Sequence, residues 1–513
     1  MIGKILVVTL YVLVLIVIAV WSARRIANVG DFFIAGRKVG PWVSAFAYGT
    51  TYFSAVLFVG YAGNLGWGFG VHTLWIAAGN VIVGSLLAWM LLAKRTREMS
   101  TRLDAITMPE FLAARYNCPW LRPISAAIVF IFLTPYSASV YKGLGHLFEV
   151  NLGIDYLYAQ LFMAVITGAY LLIGGYLAVT LTDFFQGLVQ ILGVVIMVVL
   201  LVLPLGGLAS AFTQAAALDA PALAAPWPAD GVQSPGAALA SGHFPGWMVL
   251  TSLAIITSLG VFGLPQMVQK FYSIKRVVDI RPAMIISTLF AVVIAGSAYF
   301  TGSLSHLYFT PDTVPKDPDL IIPQMLYANT PPWFSVLILL VVLAASMSTL
   351  ASLVLVASAA LSVDMFGFRT KGDGADPKGV LVLRALCGVF IAVSVLIAGA
   401  KVTFIVNLMA ISWGALAGTF MAPYVYGLFW RRANLQGAAA GMLSGVVLSV
   451  GLFLLWKAPG VPVAGAIAML VPMIVMPIVT LLTKPPAAEQ VNAAFDAPVE
   501  TEAEAEMLSG VEA

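Results

Sequence analysis

Thirteen stretches of this chain are apolar over about 20 residues or more, the length at which a helix crosses the hydrocarbon core of a bilayer. They cover roughly residues 4–22, 41–70, 71–93, 123–147, 156–180, 181–208, 245–269, 283–305, 333–364, 379–399, 403–429, 436–456 and 462–483, numbered here as spans 1 to 13. Composition agrees. Of 513 residues, 61% are apolar and only 10% are charged, against about 45–50% and about 25% in soluble domains. So little charge cannot cover a soluble surface, which excludes a cytosolic enzyme, a disordered chain and a nucleic-acid binder. The net charge of +3 offers a polyanion no basic field. Two cysteines, Cys118 and Cys387, are too few for a disulfide framework or a structural zinc site. The expected class is an all-α membrane protein of about 13 helices, with no obligatory protein partner evident.

The basic residues orient these spans. With the N-terminus outside, the cytoplasmic segments hold 21 of the 26 Lys and Arg residues, in clusters such as Arg24, Arg25, Arg37 and Lys38, or Lys270, Lys275, Arg276 and Arg281. The outside keeps Lys4, Lys142, Lys316, Lys401 and Lys457. That skew follows the positive-inside rule, and shifting the count by one span destroys it. The expected location is the plasma (cell inner) membrane, with the N-terminus outside and the C-terminus cytoplasmic. Span 1 is followed by Arg24 and Arg25 without a small-residue cleavage site, so it is expected to be retained. Residues 211–244, rich in Ala, Pro and Gly, read as an outside loop with little regular structure. The tail 485–513 carries seven acidic residues and reads as a solvated, disordered end.

Two spans are interrupted. Span 2 holds Gly49, Gly60 and Gly63 together with the hydroxyls of Thr50, Thr51, Tyr52 and Ser54, and span 7 holds Gly260, Gly263 and Pro265. Proline removes an amide donor and frees a carbonyl one turn back. Irregular backbone at membrane depth survives only where it is buried or lines a cavity. Spans 2 and 7 are five apart. If spans 2–6 and 7–11 are inverted repeats, both breaks open their repeat, and such paired interruptions point to a transporter's binding site. Gly49, Gly260, Gly263 and Pro265 are the expected break residues; glycine serving close helix packing is the plain alternative.

Span 9 contains LAASMSTLASLVLVASAALS. Ala345, Ser348 and Thr349 stand at i, i+3 and i+4 and share one helical face, which Ser352 continues. A carbonyl and two hydroxyls are neutral, hard oxygens of the kind that suit a small monovalent cation, whereas a carboxylate cage would favour a divalent one. Such hydroxyls also commonly bond their own i−4 carbonyl.

Five motifs in order, FFIAGRKVGPW from Phe32, TMPEFLAARY from Thr107, GGYLAVTLTDFFQGLVQ from Gly174, FGLPQ from Phe262 and AASMSTL from Ala344, make the chain resemble the sodium:solute symporter family, with likeness to its sodium/pantothenate and sodium/proline branches. The resemblance implies the five-plus-five inverted repeat of the leucine-transporter fold in helices 2–11. Its divisions would be 1–40 as a peripheral helix and linker, 41–208 and 245–430 as the two repeats, 209–244 as an extracytoplasmic loop, 431–484 as two additional helices, and 485–513 as the acidic tail. It implies sodium as a co-transported ion, not a catalytic metal, held by the carbonyls of Thr50, Phe53 and Ala345 and the hydroxyls of Ser348 and Thr349. By the same resemblance, Asp183 and Ser352 mark either a second sodium site or an ion exit path; Ala351 stands where a further hydroxyl would complete the former. From its place at the start of span 6, Asp183 also reads as an N-cap in a short cytoplasmic turn.

The solute is expected to be a small carboxylate or amino acid. Tyr52 replaces an aspartate of the sodium/proline pattern, and Thr257 replaces an aromatic residue. No Lys, Arg or Glu is expected at mid-membrane to pair a charged solute, so the ends of half-helices would hold a carboxylate. Candidate cavity residues are Tyr52, Ser54, Val56, Asn64, His72, Tyr136, Thr257, Val261 and Trp413. An enzyme is not expected: His72, His146, His243 and His306 are scattered without an HExxH pattern, and no nucleophile or phosphate-loop motif stands out. The alternatives on the same fold are a proton-coupled carrier, a carrier of sugar or another solute, and a non-transporting membrane sensor.

Overall fold

The computed structural model describes residues 2–24, 26, 29–218, 226–227, 244–368, 377–400 and 403–496. Arg25, His243, Arg369, Lys371, Lys401 and the tail beyond Asp496 lie outside the described residues. The first part of the chain forms α1 (Ile2–Ala23), α2 (Pro41–Tyr52), α3 (56–69), α4 (74–102), α5 (Met108–Arg115), α6 (Leu121–Leu152), α7 (156–174), α8 (176–202) and α9 (Leu208–Leu218). The second forms α10 (Gly246–Leu259), α11 (Pro265–Tyr272), α12 (Ile280–Ser303), α13 (Phe334–Ala359), α14 (Pro377–Gly399), α15 (Ile405–Phe429), α16 (Leu435–Lys457), α17 (Gly460–Leu482) and α18 (Ala488–Phe495).

Among the described residues, eleven helices are long and apolar enough to cross a membrane. Two of them, Val56–Arg102 and Tyr156–Leu205, run 47 and 50 residues. At 1.5 Å per residue that is about 70 Å, more than twice the ~30 Å hydrocarbon core. Each is interrupted by a glycine at positive φ: Gly70 (φ 53°, ψ −134°) and Gly175 (φ 57°, ψ −157°). The expected thirteen segments appear only when these helices are divided at those glycines. The interruption at Gly175 also corrects the expected boundary at residue 180, because apolar residues run straight through the turn and hydropathy does not mark it. A Cβ at Gly175 would lie 3.0 Å from the Phe32 carbonyl oxygen, so only glycine fits.

Local chemistry sets the helix starts. Asp155 and Asn434 accept the amides of Leu157 and Gly437 at 2.9 Å each. Thr107 caps α5 by accepting the Glu110 amide at 3.1 Å, while Glu110 accepts the Ile106 amide, a variant of the capping box. Burial separates centre from rim. Of the α15 window 89% is buried and of α13 with its continuation 83%, against 28% for α1 and α16. Helix α13 packs against α2, α6, α7, α8 and α14, so its small residues meet backbone on several sides.

Two expectations for segments off the membrane are corrected. The expected loop begins as helix: α9 carries residues up to Leu218, and Phe244–Pro245 pairs antiparallel with Pro226–Trp227. The tail is not wholly disordered, because α18 docks. Gln490 donates to the Arg115 carbonyl at 2.7 Å, Phe495 lies under the guanidinium groups of Arg115 and Arg431, and Asp496 binds Arg431 at 2.5 and 2.8 Å. One aromatic ring between two arginines supplies what the tail's polar composition concealed.

Candidate functional site

Span 2 breaks between α2 and α3. Phe53 takes an extended conformation (φ −108°, ψ 99°), and the Ser54 hydroxyl accepts the Val56 amide at 3.1 Å as the chain turns helical again. Gly49 is not the break, contrary to expectation: it lies inside α2, where a Cβ would come within 2.4 Å of the Phe290 ring. Its role is close packing. Span 7 breaks where Gly260, Gly263 and Pro265 stand. A short 3₁₀ turn, Gly260–Phe262, is followed by extended Leu264 (φ −86°, ψ 119°), and Pro265 opens α11. Proline loses nothing at a first helical position, whose amide has no intrahelical partner. The Tyr52 hydroxyl donates to the Thr257 carbonyl at 2.7 Å and ties the two broken regions together.

The end of α2 faces α13 through a cluster of oxygens. Ser348 Oγ lies 3.1 Å from the Thr50 carbonyl, 3.0 Å from that of Ala344 and 3.1 Å from that of Ala345. Thr349 Oγ1 lies 3.2 Å from the Thr50 carbonyl, 3.3 Å from that of Thr51 and 3.1 Å from that of Ala345. All of these residues are buried. Each hydroxyl has one proton to give. Two protons facing four carbonyls leave lone pairs pointing at lone pairs, an arrangement that a small cation would relieve. Thr50, Ala345, Ser348 and Thr349 thus meet. Phe53 follows on the same break, with its amide bonded back to Gly49. Thr51 is an addition to the expected set, since nothing in a run of hydroxyl residues shows which carbonyl the break leaves free.

Asp183 is no N-cap. It lies inside α8, past the turn at Gly175, and is fully buried. Its partner is Lys270, in the last turn of α11, which the charge count assigns to a cytoplasmic segment. Lys270 is also fully buried, with Nζ 3.6 Å from Asp183 Oδ2, and it donates to Ser352 Oγ at 2.9 Å. Ser352 in turn bonds Thr51 Oγ1 at 3.0 Å. A buried cation therefore stands one side chain away from the oxygen cluster. Sequence alone could not pair two residues on helices so far apart in the chain.

Beside the break lies a small cavity of about 20 Å³, room for about one water molecule, lined by Tyr52, Phe53, Ser54, Val56, Leu57, Tyr61, Asn80, Thr257, Tyr299 and Met409. Four of the expected residues (Tyr52, Ser54, Val56 and Thr257) line it, and no charged side chain does. Trp413 and Tyr136 back it: Trp413 stacks on Tyr52 with centroids 6.1 Å apart, and Tyr136 meets Trp413 edge-on at 5.8 Å. Val261 is buried in the 3₁₀ turn. His72 is placed elsewhere, on the turn after Gly70 and against the Phe69 carbonyl. Asn64 lines a larger vestibule, about 1280 Å³ including its open mouth, shared with Trp67, Leu253, Pro318, Phe404 and Asn407. It lies about one helical turn from the cavity toward the Gly70 end. There Lys142 binds Asp319 at 2.8 Å, and Asp319 also accepts the Ile405 amide. Burial raises the Asp319 pKa above the ordinary carboxylate range, an effect that Lys142 opposes.

At the opposite end two arginines cross-link the backbone. Arg37 donates to the carbonyls of Tyr272, Ser100 and Ala105 at 3.0, 3.2 and 2.6 Å, and Arg97 donates to that of Ile274 at 2.6 Å. Between them they join the segment before α2 to the ends of α4 and α11.

The family model of the sodium:solute symporter family matches residues 32–445. Among relatives, the osmoregulated proline transporter OpuE of Bacillus subtilis (strain 168) is 27% identical over 488 residues, covering 93% of this chain and 94% of its own length. A sodium/proline symporter of Staphylococcus aureus (strain bovine RF122 / ET3-1) is 28% identical over 463 residues, covering 88% and 86%. Among solved structures, the substrate-bound outward-open state of a Na+-coupled sialic acid symporter superposes with a TM-score of 0.76 at 18% identity, over 94% of this chain and 98% of that one. Inward-facing Mhp1 gives 0.52 at 14%, over 89% and 94%. At these identities the structures speak for the fold alone, which is the leucine-transporter type expected from the sequence. With the family model spanning most of its length, this multi-pass membrane protein belongs to the sodium:solute symporter family.

Proposed function

We propose that the chain is a sodium-coupled symporter that carries a small neutral amino acid, proline or a close analogue, into the cell by alternating access. The carrying observation is the oxygen cluster, in which two hydroxyls of α13 and the last carbonyls of α2 converge with too few protons to satisfy them. Sodium held there by Thr50, Ala345, Ser348 and Thr349, with the carbonyls of Thr51 and Phe53 beside them, bridges the two helices. Holding α2 against α13 in turn shapes the cavity at the break, so ion and solute each tighten the other.

The solute reading rests on the cavity and the relatives. A lining of aromatic and neutral polar side chains suits a zwitterion of no net charge better than a free carboxylate, and relatives spanning most of the chain are named as proline transporters. The helix ends at the two breaks supply partial charges for the ammonium and carboxylate groups. The N-terminus is outside and the C-terminus cytoplasmic on the positive-inside rule, which makes the vestibule the outward entrance.

The test is uptake of radiolabelled proline into proteoliposomes under an inward sodium gradient. Uptake that collapses when choline replaces sodium is the expected result. Equal uptake in choline overturns the coupling ion. No uptake of proline, with a different amino acid accumulated under sodium, overturns only the solute.

A further inference from the structure

Lys270 occupies a position that nothing in the transport cycle so far uses. Its ammonium has three N–H groups, and three partners surround it: the Ser352 hydroxyl at 2.9 Å, the Asp183 carboxylate at 3.6 Å, and the face of the Tyr176 ring at 5.1 Å. The Tyr176 hydroxyl is itself bonded to Ser273 Oγ at 3.0 Å, which fixes the ring. Lys270, Asp183 and Ser352 are fully buried, so water does not screen the ammonium from the carboxylate. Neither oxygen of Asp183 has a hydrogen-bond partner among the described residues, which leaves the ammonium as its counter-charge. From Ser352 a single hydroxyl contact leads to Thr51, whose carbonyl belongs to the oxygen cluster.

The geometry points to the Lys270 ammonium as a resident cation that fills the pocket between Asp183 and Ser352 and limits this chain to one sodium ion. The inference rests on the sodium reading of the oxygen cluster. A carboxylate, a serine hydroxyl and a threonine hydroxyl would otherwise form a second oxygen site for a small cation. With the ammonium present, one Ser352 lone pair already accepts a hydrogen bond and the charge of Asp183 is already balanced. An ion entering there would meet a like charge at contact distance. The tethered cation does not leave with the solute, so its charge stays in the protein throughout the cycle. Replacing Lys270 with an uncharged side chain of similar length frees both oxygens and restores the negative charge, and the emptied pocket then draws a second sodium.

Equilibrium binding of sodium-22 to the purified protein, without solute, tests this. The native chain is expected to bind one ion per monomer. Lys270→Met is expected to bind two, with the Hill coefficient for sodium rising from near one toward two, and Lys270→Met/Asp183→Asn is expected to return to one. Two ions on the native chain overturn the inference, as does a single ion on monodisperse Lys270→Met. No sodium on the native chain overturns the underlying sodium reading instead, which is a distinct result. Should Lys270→Met fail to yield folded protein, the count on the native chain still decides between one ion and two.

Discussion

Ser348 and Thr349 each have one proton and three carbonyl oxygens within 3.3 Å. Removing either hydroxyl takes a ligand from the proposed sodium site without leaving a buried donor unpaired. Ser348→Ala and Thr349→Ala are therefore expected to raise the sodium concentration for half-maximal uptake tenfold or more, about 1.4 kcal/mol. Ser346→Ala is the control, because that hydroxyl bonds the Val342 carbonyl on its own helix at 2.6 Å and should leave sodium dependence unchanged. Unaltered sodium dependence in both site variants would remove the assignment. Tyr52→Phe keeps its ring against Phe53 and Trp413 but leaves the Thr257 carbonyl unpaired. At about 1 kcal/mol for a lost hydrogen bond, the solute concentration for half-maximal uptake should rise about fivefold. Residues sharing one helical face can be read from spacing, which is why Ala345, Ser348 and Thr349 stand out in the sequence itself. Lys270 does not: a lysine shortly after an apolar run reads as an interfacial cation, and its partner stands on another helix.

Helices α3 and α12 approach more closely than side chains allow. A Cβ on Gly302 would fall 2.1 Å from the Ala62 carbonyl oxygen, and one on Gly66 would fall 2.2 Å from that of Gly302. Backbone cannot swing aside as a side chain can. Gly302→Ala should therefore cost at least about 2 kcal/mol, seen as a fall in the melting temperature of the detergent-purified protein or loss of its monodisperse peak. Gly296→Ala on the same helix, with nothing within 4 Å, should leave both unchanged. The broken helices divide in how far they could be anticipated. Proline cannot continue the preceding turn, so span 7 announces its interruption. Span 2 parts at Phe53, a residue of no special backbone preference, because the surrounding bonds of Tyr52 and Ser54 outweigh local propensity, while the glycines nearby serve packing.

Across the whole molecule, α18 closes over the ends of α4 and α5 and is anchored just past α15, at Arg431, by Asp496. Its hydrogen bonds to Arg431 hold Asp496 below the ordinary carboxylate range. A depressed carboxylate contributes its stabilisation above the unfolded pKa of about 3.9 and loses it as pH falls through the folded value. Amide exchange in residues 488–495, corrected for intrinsic pH effects, should therefore be slow near neutrality and accelerate below about pH 4, and Arg431→Ala should produce the same release at pH 7. No acceleration in either case would mean that Phe495 and Gln490 hold the helix without Asp496. The vestibule opens at the Gly70 end, while Arg37 and Arg97 cross-link the backbone at the other. On the proposed orientation, water in the vestibule brings the outside potential toward the oxygen cluster, so more of the transmembrane voltage, worth about 2.3 kcal/mol per elementary charge per 100 mV, falls on the cytoplasmic side of it. Sodium arriving through the vestibule would then cross less of that field than sodium leaving the proposed site toward the cytoplasm. Ion-arrival currents recorded without solute should be small, and release of the ion into the cell becomes the step that the membrane voltage drives.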